Sequence, residues 1–102
     1  MDWETEARTG REFLKDWLRD QGGPKHSTGG LEKGARWLDE QCDAPPGTMR
    51  SIVLSKDRKT RIYIRQIAMA VGMPVIAVLE LDEPIRDLVR QEQEALATGK
   101  SG

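Results

Sequence analysis

Six basic residues, Arg50, Lys56, Arg58, Lys59, Arg61 and Arg65, fall within sixteen positions that contain a single acid, Asp57. Cations concentrated in this way suit the neutralisation of phosphates, because each phosphate contact releases condensed counterions and adds a salt-dependent increment of affinity. The segment carries +5 in a chain of net charge −1, so all the other residues together carry −6. Much of that negative charge sits within 80–94, where Glu80, Asp82, Glu83, Asp87, Glu92 and Glu94 face only Arg86 and Arg90. The chain is charge-polarised, and double-stranded DNA is the partner that its basic segment suggests. The same pattern has two competing meanings, a solvated turn or a patch that meets a charged protein.

Other chemistry is poorly provided for. The single histidine, His26, stands in a glycine-rich stretch with no nucleophile at a useful spacing. Cys42 falls on the apolar face of a predicted helix, where a thiol acts as a small hydrophobe. Asp39 and Glu40 are neighbours in sequence, so on a helix they point about 100° apart and do not converge as a paired acid and base. Gly29-Gly30 lacks the Gly-Lys-Ser/Thr ending of a phosphate loop, and Gly99-Lys-Ser101 lacks the earlier glycine and the following helix. One Cys and one His allow neither a disulfide within the chain nor a zinc site of such ligands. The expectation is a non-enzymatic protein with no catalytic residue, no metal and no cofactor, in a cytoplasmic setting. The acidic N-terminal stretch Asp2-Trp-Glu-Thr-Glu6 has no apolar run and predicts neither a signal peptide nor a membrane anchor.

Several elements must position the basic segment. At 102 residues, 37% hydrophobic and 32% charged, the chain predicts one small domain over 1–97 with a disordered tail over 98–102. Trp3, Ala7, Leu14, Trp17 and Leu18 recur at spacings of 4, 7, 3 and 1, which predicts a helix over 2–21 with Asp2 as N-cap. Gly22-Gly23-Pro24 stops it, and 24–30 reads as a flexible loop. Leu31, Ala35, Leu38 and Cys42 predict a second helix over 31–43, ended by Ala44-Pro45-Pro46-Gly47. The three tryptophans read mainly as core in a chain with one Phe and one Tyr, Trp3 being the most exposed.

From Thr48 the sequence supports two descriptions. In the first, Thr48 caps a short helix over 49–55, Thr60 caps a helix reaching Val71, and Pro74 opens another. In the second, Arg50–Ser55 and Thr60–Arg65 are antiparallel strands and Val75–Leu81 is a third. The spacing of Ile64, Ile67, Ala68 and Val71 favours helix over 62–72, whereas 50–55 and 75–81 stay open. A last helix begins at Asp82-Glu-Pro84, with Asp82 or Glu83 capping and with Ile85, Leu88, Val89 and Leu96 on its apolar face.

Residues 64–83 resemble the twenty-residue helix-turn-helix pattern of bacterial and phage DNA-binding proteins. The apolar, small and glycine places of that pattern hold Ile67, Ala68, Val71, Gly72, Met73, Val78 and Leu81. Arg65-Gln-Ile-Ala-Met-Ala70 also resembles a short piece of the DNA-binding domain of bacterial replication initiators. The resemblance implies a mainly α fold, a small helical domain with a helix-turn-helix-like unit. The alternative is α+β, a short antiparallel meander over 50–81 packed on N- and C-terminal helices. In the family the second helix presents polar groups to base edges, but Pro74, Val75, Ile76, Ala77, Leu79 and Glu80 offer no side-chain donor. The expected contacts are therefore to phosphates, through Arg50, Lys56, Arg58, Lys59, Arg61 and Arg65. The function so implied is a small DNA-binding transcription regulator or accessory factor of bacterial, phage or mobile-element origin. A homodimer is expected, because one small module gives little site specificity. The alternative is a protein-binding inhibitor or adaptor, of the phage anti-defence type, acting through its polarised surface.

Overall fold

A computed structural model describes residues 2–21, 30–54 and 60–99. Among the described residues the regular elements are six α-helices and one π-helical turn, and the mainly α expectation holds. The elements are α1 (Gly10–Asp16) running into a π-turn (Trp17–Gln21), α2 (Gly30–Gln41), α3 (Thr48–Leu54), α4 (Thr60–Val71), α5 (Val75–Leu79) and α6 (Ile85–Gly99). Among the described residues no strand forms beyond a single bridge between Thr9 and Pro84, so the meander over 50–81 is not adopted. The β-branched residues there obey a helical period instead. Met49, Ile52 and Val53 are buried at spacings of 3 and 1, and Ala77, Val78 and Leu81 at 1 and 3. Burial against other helices overrides their intrinsic strand preference.

The first helix is shorter than the spacing predicts. It starts at Gly10, because Thr9 caps it: the Thr9 hydroxyl accepts from the Glu12 amide at 3.1 Å and donates to the Glu12 carboxylate at 3.1 Å. Asp2 accepts from the Glu4 amide in a local turn and caps no helix. Residues 6–11 instead lie alongside 81–86, with Arg11 N–H donating to Leu81, Ile85 N–H to Arg8 and Arg86 N–H to Glu6 at 2.8 to 3.0 Å. The Glu6 and Arg8 carbonyls are spent on that pairing and are lost to a helix. Ala7 is exposed, while Phe13, which the spacing pattern passes over, is buried under the edge of Trp3 with ring centroids 5.0 Å apart.

Two glycines let backbones meet. A Cβ on Gly10 would run into the Ala77 carbonyl of α5, and one on Gly34 into the Leu18 carbonyl of the π-turn. Around these contacts Leu14, Leu18, Leu38, Met49, Ile52, Ile67, Val78 and Ile85 form the fully buried centre. Trp17 and Trp37 pack at 5.8 Å, and all three tryptophans lie half-buried against the core.

The α2–α3 connection is organised by Asp39, which is 3% exposed. Its carboxylate accepts from the Gly47 amide at 3.0 Å and the Met49 amide at 2.8 Å, capping α3 from the side of α2. Thr48, expected to cap that helix, donates its hydroxyl to the Pro45 carbonyl at 2.7 Å. The last helix begins after Pro84, and the Asp82 carboxylate binds Arg11 at 2.8 Å. Arg11 also donates to the Ile52 carbonyl, tying α1 to the C-terminal end of α3. Ile85 and Leu88 of α6 are buried as expected, but Leu96 is 65% exposed because every residue from Gln91 to Thr98 lies beyond the helical body. Thr98 and Gly99 of the expected tail belong to α6 and Gly30 of the expected loop to α2, whereas the rest of the tail and of the loop expected over 24–30 lies outside the described residues.

Candidate nucleic-acid interface

The chain's own periodicity decides which part of the basic segment faces outward. Ile67, Ala68 and Val71 bury one side of α4, and successive turns of 100° place Arg61, Ile62, Arg65, Gln66 and Met69 together on the opposite side, within an arc of about 140°. All five are exposed. Arg61 and Arg65 are one turn apart in a twelve-residue helix that contains no acid. Among the described residues neither arginine forms an ion pair.

Arg50 stands elsewhere. It lines a cleft of about 170 Å³ between α2 and α3, together with Glu32, Ala35, Arg36, Asp39, Pro46 and Gly47, and its guanidinium lies 3.9 Å from the Glu32 carboxylate. The structure thus brings Arg61 and Arg65 together and sets Arg50 beside an acid. Lys56, Arg58 and Lys59 lie outside the described residues. Sequence reasoning missed Ile62, Gln66 and Met69 as members of the outward face, Ile62 being 66% and Met69 84% exposed. Their signal was present: none of the three falls on the stripe formed by Ile64, Ile67, Ala68 and Val71.

At the end of α4 the amides of Gly72 and Met73 both donate to the Ala68 carbonyl, at 2.7 and 3.1 Å, and Gly72 takes φ +80°. That is the conformation for which glycine suits the first residue after a helix. Pro74, extended at ψ 140°, then starts α5. Ala68, Met73, Ala77, Val78 and Leu81 are buried, while Val75 is half exposed. The chain matches no family model, no curated protein and no solved structure. With five residues and no side-chain donor, α5 is chemically unsuited to reading base edges. The donors lie on α4.

Cys42 and Asp39 are engaged in the fold. Burial, and secondarily the Asp39 charge, push the Cys42 thiol up to about 11, so it stays protonated in neutral solution. Asp39 is buried and engaged by two amides while Glu40 is exposed, so the adjacent pair does not converge. Among the described residues no group of three His, Cys, Asp or Glu side chains could hold a metal ion, and no helix is long and apolar enough to cross a membrane. His26 lies outside the described residues.

Proposed function

We propose that this chain is a small cytoplasmic DNA-associated protein, a regulator or accessory factor of bacterial, phage or mobile-element type, that holds duplex phosphates with the outward face of α4 and the basic residues preceding it. The observation that carries this reading is the acid-free α4, whose Arg61 and Arg65 project from one exposed face without an intramolecular counterion among the described residues. Lys56, Arg58 and Lys59 precede that helix directly in the chain and extend the same charge. A duplex supplies what these groups lack, a row of anions whose counterions are released on contact. The role assigned here is binding, not catalysis, and it requires no helix-turn-helix readout through α5.

Fluorescence anisotropy with a random-sequence duplex, titrated at low and at moderate salt, tests the reading. Binding that weakens with salt is expected, and Arg61→Ala with Arg65→Ala should reduce the logarithmic salt slope by roughly 2, close to one released counterion per lost contact. No binding at low salt would overturn it. A second reading is favoured by the 66% exposure of Ile62 and 84% exposure of Met69 on the same face, because mixed basic and apolar surface also suits a protein partner. In that reading the chain is an inhibitor or adaptor that meets an acidic protein.

A further inference from the structure

The distal half of α6 continues a core-packing helix past the buried body, where its apolar side is left exposed. Ile85 and Leu96 are eleven residues apart, three helical turns, and so share one side of α6. Ile85 is fully buried, but by Leu96 the body has ended and the same side lies 65% exposed. Glu92, one turn before Leu96, is on this side as well and is also exposed. From Gln91 to Thr98 the helix carries two carboxylates and no cation. About two turns of isolated helix gain little stability in water, since helices this short depend on packing.

The outward face of α4 is its complement, with exposed Met69 and Ile62 where α6 offers Leu96, and Arg65 where α6 offers Glu92. We infer that a second copy of this chain is the occupant: the end of α6 from each copy seats on α4 of the other, with Leu96 against Met69 and Ile62 and with Glu92 paired to Arg65. Each copy carries both halves of the contact, so a two-fold arrangement makes the interaction twice and closes it. This differs from the dimer that site specificity in DNA calls for, because it covers Arg65 instead of presenting it twice. One consequence rests on the duplex reading above, namely that the self-associated form and the DNA-bound form exclude each other. The association itself does not depend on that reading and is measured without DNA.

Sedimentation equilibrium over a wide concentration range, on the full chain, should show a monomer–dimer equilibrium. Glu92→Arg and Arg65→Glu change exposed residues, and each alone should weaken the dimer about tenfold or more by opposing like charges. Mixing the two variants should restore association, since each then finds its complement in both contacts of the mixed pair. A monomer at every concentration would overturn the inference. So would a dimer that is indifferent to both reversals, or a mixture no tighter than the separate variants. A chain that dimerises in this way yet shifts no duplex would leave the inference standing and remove the DNA reading.

Discussion

Asp39 shows how a residue with catalytic-looking chemistry is spent on architecture. With Thr48 it is one of two buried polar or charged residues among the described ones, and its carboxylate oxygens accept the amides of Gly47, just before α3, and of Met49 in its first turn. A charged acceptor at a helix start satisfies orphan donors and meets the positive end of the helix dipole. Removing it leaves the Met49 amide buried without a partner. Asp39→Ala should therefore destabilise the fold by roughly 2–4 kcal/mol, the sum of a lost cap and an unsatisfied donor. In a domain of this size that lowers the melting midpoint by roughly 10–20 °C. Asp39→Asn keeps one acceptor oxygen and should fall between the two. Thermal melts followed by circular dichroism read the order directly, and an alanine variant that melts within a few degrees of the wild type would contradict the capping role.

At the scale of elements, the N-terminal segment carries a stability contribution that depends on pH. Arg8 grips Glu6 through Nε at 2.7 Å and Nη2 at 2.8 Å, reaches Asp16 at 3.2 Å, and lies 4.9 Å from the centre of the Phe13 ring. Those hydrogen bonds hold the Glu6 carboxyl below its usual range, against the opposing pull of burial. The unfolded chain takes up this proton more readily than the folded one, so the contribution is complete above the ordinary glutamate value of about 4.3 and disappears as pH falls through the lower folded value. Glu6→Gln should cost roughly 1 kcal/mol at neutral pH, a modest figure because Arg8 is partly exposed. The melting curves of variant and wild type should converge in acid. A gap that persists at low pH would show that Glu6 acts through packing. The same segment explains what the sequence left illegible. Regular spacing continues from Trp3 through Leu18, yet only a tertiary partner, the 81–86 stretch, decides that residues 6–9 pair with it instead of coiling. The turn at Gly72-Met73-Pro74 was legible because its determinants are local, a positive-φ glycine and a proline that cannot continue a helix. The outward position of Arg61 and Arg65 follows from the period of α4, but the sequence left Thr60–Arg65 open to a strand description in which that period does not apply. The separation of Arg50 from them was not legible, since it follows from the packing of α3 against α2 beside Glu32.

At the scale of the whole molecule, its dimensions of 49 × 25 × 20 Å describe a small helical body with an extension. The radius of gyration, 14.1 Å, exceeds the value of about 13 Å usual for a compact chain of this length. The distal part of α6 contributes to this extension, because every residue from Gln91 to Thr98 is exposed. The Gln93 amide donates to Glu4 at 2.8 Å, between two exposed side chains. Exposed hydrogen bonds of that kind contribute little net stability. A chain ending at Arg90 should consequently keep the core centred on Leu14, Leu38 and Ile85, and at high dilution, where copies do not meet, it should melt within a few degrees of the full chain. Its circular dichroism should lose helix in proportion to the residues removed and no more. A larger loss of ellipticity, or a midpoint lower by about 10 °C, would mean that the end of α6 supports the body instead of projecting from it. Concentration separates the two roles that α6 would then combine: support within one chain lowers stability equally at every dilution, whereas a contact between copies lowers it only where the full chain is associated.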